Sequence, residues 1–385
     1  MEIVGIICEY DPFHLGHRRQ IRAVREQLGE DCAVVCLMSG NYVQRGHPAM
    51  FDKMRRAQCA LLGGADLVLE LPVQVSLSSA EGFAAGGVRI LSPICTRLSF
   101  GSEMADTNLL LQTAEALLRP DFSDPLRQWL DKGLSFPAAR AAALEDLGLD
   151  ARPLCQPNSI LAVEYCKAIL SQNSPMAILP ITREGRYHAA VPEGRYPSAT
   201  AVRSAVRAGG CWQELVPSES VPLLSDAPVH TLSQGETAVL ARLRAMTDAE
   251  FEALPYGSEG LWRKLMHESR RQASLEDIAA AVKSRRYTRS RLDRMILCAF
   301  LDLTGQELAA SAPYARILGF TQRGRAVLNM QKKTGLLQNI GQNMDHPQQA
   351  LEDRCDRLYG LFARQPERAD FYSRLRVLRS ETEEA

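Results

Sequence analysis

Two histidines flank a glycine near the start of the chain, in His14-Leu15-Gly16-His17. Imidazoles this close in sequence can converge on one small anion, and the glycine between them lets the backbone approach it. A pair that donates hydrogen bonds to phosphate oxygens stabilises the charge that builds during displacement at an α-phosphate. The tetrapeptide alone is only moderately specific, because surface loops often carry two histidines. Its setting decides the matter: it follows directly on a β-rich apolar run, Ile3 to Cys8, and opens a helical pattern from about Leu15. That strand-to-helix turn is where backbone N–H groups and the helix dipole gather phosphate in parallel α/β sheets. A zinc site is the weaker reading, because metal sites need three or four ligands and no others stand nearby.

A second segment supports the first. Ser198-Ala199-Thr200-Ala201-Val202-Arg203 follows Tyr196-Pro197 and starts another helix. Two hydroxyls then sit at the helix N-terminus with an arginine one turn inside, which suits the β- and γ-phosphates of ATP. Ser-x-Thr at such a position is also ordinary capping, so the segment gains weight only beside the first motif.

The elements that must position these residues form a repeating pattern. Strands are expected at Ile3 to Cys8, Ala33 to Met38, Leu67 to Leu71 and Arg97 to Phe100, with helices at Phe51 to Leu62 and Ser78 to Leu91. Alternating βα units imply a parallel sheet covered on both faces. From Met104 to about Leu149 the pattern turns helical and Ala/Leu-rich, read as an insertion at about 104–150. Pro157 suits the first turn of a helix through Tyr165, and Met176 to Pro180 supplies a further strand. The stretch from Val216 to Pro222 has linker character, and beyond it the chain is mostly helical, with Ser274 capping a helix through Ala281. The expected organisation is therefore a Rossmann-like α/β domain over 1–215, with its helical insertion, and a mostly helical domain over 216–385.

At 385 residues the chain exceeds what one core usually fills, in keeping with two domains. Its formal net charge is zero, so a polyanion must be held by a local basic patch and not by the field of the whole molecule. The ten cysteines mostly lie inside apolar runs without C-x-x-C pairing, which reads as buried reduced thiols, and no structural metal is expected. The start of the chain lacks the features of a signal peptide and no apolar run is long enough to span a bilayer, so a cytoplasmic protein without a membrane partner is expected.

Together the two phosphate motifs resemble those of the HIGH-type nucleotidyltransferase superfamily, in which H-x-G-H and S-[ST]-T-x-[IV]-R flank one ATP. No K-M-S-K-S loop is present, and Asp52-Lys53-Met54-Arg55-Arg56 is a poor substitute; Lys53 is read as a solvated side chain on a helix. A longer ordered set of stretches resembles the tRNA(Met) cytidine acetate ligase family more specifically. It comprises Val4 to Ile7, Glu9-Tyr10, Pro12 to His14, Ser39-Gly40-Asn41-Tyr42-Val43-Gln44-Arg45-Gly46, Gly64 to Pro72, Ser99 to Glu103, Gln156-Pro157-Asn158, Arg183-Glu184-Gly185, Glu259 to Trp262, Arg286 to Arg291 and Leu318 to Phe320. The resemblance implies a nucleotidyltransferase domain that binds ATP with Mg²⁺, forms acetyl-adenylate from acetate, and passes the acetyl group to N4 of the wobble cytidine of elongator tRNA(Met). Carried over by position, it puts Ile7, Cys8, Glu9, Tyr10, Asp11, Pro12, Phe13, His14, Leu15, Gly16, His17, Gln20, Gly101, Asn158 and Arg183 against ATP, joined by Ser198, Thr200 and Arg203, with His14 and His17 catalytic. Asp11 and Leu15 depart from the asparagines common in the family. Arg183 or Arg45 would screen the repulsion between acetate and the triphosphate.

Basic charge concentrates around one aromatic in the stretch from Lys283 to Arg294. A short charge run is normally a solvated helix face. With the family resemblance, Arg285, Arg286, Tyr287, Arg289 and Arg291 become the expected grip on tRNA. Two other readings stay open on sequence: a small-molecule adenylyltransferase of cofactor biosynthesis, indifferent to tRNA, and an RNA-binding protein whose nucleotide site has lost catalysis.

Overall fold

The computed structural model describes residues 1–183, 196–284, 287–309, 315–331, 337–339, 347–369 and 377–379. The strands are β1 (Ile3–Cys8), β2 (Ala33–Ser39), β3 (Tyr42–Val43), β4 (His47–Pro48), β5 (Leu67–Leu71), β6 (Arg97–Ser102), β7 (Ala177–Thr182), β8 (Ala315–Phe320), β9 (Leu337–Asn339) and β10 (Leu378–Arg379). The longer helices are α1 (Leu15–Leu28), α2 (Lys53–Leu62), α3 (Ala80–Leu91), α4 (Thr107–Leu118), α5 (Ser123–Asp131), α6 (Phe136–Asp146), α7 (Pro157–Ser171) and α8 (Ala199–Arg207). In the second half they are α9 (Glu236–Ala245), α10 (Leu261–Ser269), α11 (Leu275–Val282), α12 (Arg289–Leu301), α13 (Gln322–Gln331) and α14 (Pro347–Tyr359).

One sheet runs in the order β10-β8-β5-β2-β1-β6-β7, with β9 beside β8. From β5 across to β7 every pairing is parallel. The strand sequences explain the two-sided burial, since successive residues point to opposite faces and both sets are apolar. Val4 and Ile6 of β1, with Val34, Cys36 and Met38 of β2, pack under α1, α2 and α8. Ile3 and Ile7, with Val35 and Leu37, pack under α3, α4 and α7. The doubly covered α/β sheet expected from the sequence is thus present, and the stretch from 104 to 150 folds into α4, α5 and α6, with α4 lying along α7.

Two expectations about organisation need correction. The chain does not divide in space at 215/216: β8 returns from the second half and pairs antiparallel with β5, and β10 pairs with β8. Both faces of β8 are buried, with Ile317 in one core layer and Leu318 in the other. A Cβ on Gly319 would lie 2.8 Å from side-chain atoms of Leu61 and Leu378, which shows how closely β8 is seated. The stretch 216–222 is not a loose linker either. It forms short helical turns, and Val216 and Leu224 are buried in the core that contains α2.

The helices α9 to α12 build a second core with Leu351, Cys355 and Tyr359 of α14, and this core also takes in Tyr42 of β3 and Val73 and Leu77, which follow β5. Between the two cores lies a buried ionic cluster. Lys53 Nζ is 3.0 Å from Glu70 Oε1 and 2.5 Å from Asp356 Oδ2, while Arg316 reaches Glu70 at 2.8 Å and Asp356 at 2.9 Å. Lys53 is 0% exposed, so the reading of a solvated lysine was wrong. Its carboxylate partner Asp356 is held below the ordinary aspartate range: burial works against the charge, and Lys53 and Arg316 outweigh it.

Candidate active-site cleft

The loop between β1 and α1 sets the geometry of the site. His14 precedes α1 with extended backbone, and its Nδ1 accepts the Gly16 N–H at 3.0 Å. In the first turn of the helix, His17 Nδ1 accepts the His14 N–H at 3.3 Å. The two imidazoles therefore form a reciprocal capping box that satisfies the open N–H groups of the helix start. A ring nitrogen that accepts an N–H carries no proton, so in each neutral ring the proton sits on Nε2. The rings stack with centroids 3.7 Å apart and an angle of 22° between planes, which brings two Nε2–H donors together. His14 Nε2 is buried with no protein partner.

Both rings are held neutral. Burial, followed by the charges of Arg183 and Arg203, brings the His14 pKa down from 6.5 to about 3. Burial, then His14 and Arg183, holds His17 well below the usual histidine range. The pair thus meets a phosphate as hydrogen-bond donors and not as cations. Glycine is required at position 16 because a Cβ there would sit 2.9 Å from His14 Cε1.

Neighbouring side chains lock this loop. Tyr10, at φ +46°, stands edge-on to Phe13 at 4.9 Å and tilted against His17 at 4.7 Å. The fully buried Arg56 donates to the carbonyls of Glu9 at 2.6 Å, Ser39 at 3.1 Å and Phe51 at 2.8 Å, and to that of Gly40. It ties the ends of β1 and β2 to the start of α2. Asp11 Oδ1 accepts the Met50 N–H at 2.7 Å, while its Oδ2 is buried without a hydrogen bond, 3.6 Å from Arg203.

One cleft brings together Ile7, Cys8, Glu9, Tyr10, Asp11, His14, His17, Gln20, Gly101, Asn158, Arg183, Ser198, Thr200 and Arg203. Gly16 lines an adjoining recess with Arg19, Tyr196 and Pro197. Pro12, Phe13 and Leu15 are not among the residues lining either space, and Phe13 is buried in the core, where its ring fills the space a side chain on Gly63 would need. On the far strands, Gly101 leaves room for Arg183, whose Cγ would be 2.9 Å from a Cβ there. Asn158 opens α7 and donates to Glu103 Oε1 at 2.6 Å; Glu103 also accepts from the Ser159 N–H and hydroxyl. At α8, Ser198 Oγ accepts the Ala201 N–H, so this hydroxyl caps the helix. Arg203 donates to the Asp11 carbonyl at 2.7 Å and to Thr200 Oγ1 at 3.3 Å, which joins the two phosphate motifs across 192 residues of sequence.

The sequence reading missed Arg56 and Glu103, whose partners lie far away in the chain. It also left out Gln44 and His47, which line the cleft together with Arg45 from the β3–β4 hairpin. The only signal for Gln44 was its place in the stretch from Ser39 to Gly46, and His47 lies one residue beyond that stretch.

The basic stretch is less open than expected. Arg285 and Arg286 lie outside the described residues. Arg289 pairs with both carboxylate oxygens of Glu276 and with Asp293 at 2.8 Å. Arg291 donates to the Tyr256 carbonyl and to Ser258 and lies over the Tyr287 ring, and the Tyr287 hydroxyl donates to Glu259 at 3.1 Å. Arg289, Arg291 and Tyr287 are therefore engaged within the protein. Among the described residues no group of three or more His, Cys, Asp or Glu could hold a metal ion, and no helix is long and apolar enough to cross a membrane.

The doubly wound sheet and the histidine-capped loop at the end of β1 define a nucleotidyltransferase. The HIGH Nucleotidyl Transferase family model matches residues 1–373. A curated tRNA(Met) cytidine acetate ligase of Clostridium novyi is 35% identical, covering 86% of this chain and 88% of that protein. One of the same name from Clostridium acetobutylicum is 32% identical over 97% of this chain and 99% of its own length. The crystal structure of Thermotoga maritima TmcAL without ligand matches with a TM-score of 0.90 at 30% identity over 99% of this chain and 100% of that one. The form bound with alpha-thio ATP matches at 0.88 and 29% identity. The chain belongs to the tRNA(Met) cytidine acetate ligase family of the HIGH nucleotidyltransferases.

Proposed function

We propose that this protein activates acetate with ATP and transfers the acetyl group to N4 of the wobble cytidine of elongator tRNA(Met). The observation that carries the reading is the pair of neutral, stacked imidazoles with Nε2–H donors, one of them unpartnered, in a cleft that also holds Arg183 and Arg203. Acetate is an anion and attacks the α-phosphate of another anion, so the site must lower their repulsion and fix their approach. Arg183, or Arg45 from the hairpin, faces the acetate. His14 and His17 donate to phosphate oxygens as their charge grows, with no proton transfer required. Pyrophosphate departs along the start of α8, past Thr200 and Arg203.

Mg²⁺ bound with the triphosphate would supply partial neutralisation of its charge. Asp11, whose buried Oδ2 makes no hydrogen bond and lies 3.6 Å from Arg203, is the residue that would hold it. This gives a use to the departure from the family's asparagine. The mixed anhydride then acylates the cytosine amine, with the RNA lying on the helical half. A cytoplasmic location follows from a tRNA substrate.

The test is incubation with labelled acetate, ATP and total tRNA, omitting each in turn, followed by digestion of the RNA. Label recovered as N4-acetylcytidine, dependent on all three, is the expected result. ATP turnover indifferent to tRNA and acetate would replace this reading with a small-molecule adenylyltransferase. RNA binding without pyrophosphate release would replace it with a binding protein.

A further inference from the structure

The cleft contains a third histidine whose hydrogen bonding is the reverse of the first two. His47 opens β4, is half-buried and lines the same cleft as His14 and His17. Its Nδ1 lies 3.0 Å from the carbonyl oxygen of Pro48. A carbonyl can only accept, so Nδ1 is the donor, and in the neutral ring Nε2 carries the lone pair. His14 and His17 thus offer N–H groups, while His47 offers a base. A lone pair repels the anions of the first step, acetate and phosphate. It suits an amine that must give up a proton.

The placement of the hairpin points the same way. The hairpin extends from β2, on the opposite flank of β1 from β6 and β7, which carry Gly101 and lead into Arg183. Two bonds hold it through Gln44. Glu9 accepts the Gln44 N–H at 2.7 Å, anchoring the hairpin to the nucleotide loop, and Arg294 of α12 donates to the Gln44 carbonyl at 3.3 Å. The tip at Gly46 has φ +83°, and a Cβ there would lie 2.3 Å from the Arg294 backbone nitrogen. His47 therefore stands where the nucleotide cleft meets the first turns of α12 in the helical half.

We infer that His47 is the general base of the acetyl-transfer step. The assignment rests on the acetate ligase reading and names one further catalytic residue within it. The cytosine N4 lone pair attacks the carbonyl carbon of acetyl-adenylate and a C–N bond forms. The C–O bond to the adenylate phosphate breaks, and AMP leaves with that electron pair. The N4 proton passes to His47 Nε2 and from there to water. The amine is weakly nucleophilic because its lone pair is delocalised into the ring, and its N–H becomes acidic only as the new bond forms. A base is therefore useful in this step and idle in the first.

The experiment separates the two steps in wild type, His47→Ala and His47→Gln. The first is read as acetate-dependent ATP–pyrophosphate exchange, the second as single-turnover transfer to tRNA from preformed acetyl-adenylate. In both variants exchange is expected to stay within about threefold of wild type, while transfer falls about 10²–10⁴-fold. Added imidazole restores transfer in His47→Ala but not in His47→Gln, where the larger side chain fills the space. Exchange also reports that each variant is folded. Transfer that survives the substitution, or is lost together with exchange, or is not restored by imidazole, overturns the assignment. If wild type itself exchanges but acetylates no tRNA, the reading of the reaction fails instead, and the assignment falls with it.

Discussion

The nucleotide cleft and the ionic cluster around Lys53 are both built from buried polar groups, yet they are finished in opposite ways. In the cluster each charge meets its opposite: Lys53 lies against Glu70 and Asp356, and Arg316 against Glu70, Asp356, Asp353 and Glu352. In the cleft the histidines use one nitrogen for the backbone and keep the other for something else, and Asp11 Oδ2 makes no hydrogen bond, with Arg203 3.6 Å away. A buried polar atom without a hydrogen bond costs free energy, and in a cleft that already lines a nucleotide site a ligand would meet that cost. Complete pairing marks a joint.

The comparison predicts that the two regions fail differently. Lys53→Ala leaves Glu70 and Asp356 short of a cation and should destabilise the fold by about 3–5 kcal/mol, read as a shift in denaturant midpoint; a change below about 1 kcal/mol would mean the cluster is not a joint. His17→Ala should leave that midpoint nearly unmoved while acetyl-adenylate formation falls about 10²–10³-fold, the scale for losing one donor to a charging oxygen. Equal damage to stability and rate would erase the distinction.

A smaller effect sharpens it through pH. The folded-state pKa of His14 lies at about 3 and its unfolded value at 6.5, so the neutral ring contributes stability that is present above 6.5 and lost as pH falls toward 3. His14→Gln should therefore flatten the acid side of the stability profile across that window, while differing from wild type by a constant amount above pH 7. The smallest effect is expected at α12. Because Arg289 already pairs with Glu276 and Asp293, Arg289→Ala should cost less than about 1 kcal/mol of stability and change tRNA affinity less than about threefold in a filter-binding titration. A loss of tenfold or more would return this arginine to the RNA-binding surface.

The elements legible in the sequence were those with a local signature. β1, β2 and β5 are buried on both faces and read as continuous apolar runs, and the histidine pair was recognised because its whole apparatus, spacing, glycine and preceding strand, lies within a few residues. β8 has the same kind of sequence, Ala315-Arg316-Ile317-Leu318-Gly319-Phe320, but stands in a helix-rich half, where six residues do not distinguish strand from helix. Lys53 looked solvated because two of the groups that pair with it or its neighbours, Arg316 and Asp356, are more than 260 residues away. Arg289 looked available for a similar reason: its main partner, Glu276, belongs to another helix. His47 escaped notice because the sequence does not state which ring nitrogen a neighbouring carbonyl engages.

The insertion of β8 beside β5 also orders events at the ribosome. Until residues 315–320 have emerged, the outer edge of β5 has no neighbour, and Lys53 and Glu70 lack two of the groups that enclose them. A nascent chain stopped at residue 215 would carry the complete nucleotide loop on a sheet with an open, apolar flank. Such a fragment is a candidate for chaperone capture rather than an independent adenylating unit. The last third of the polypeptide is thus part of what makes the first third an enzyme.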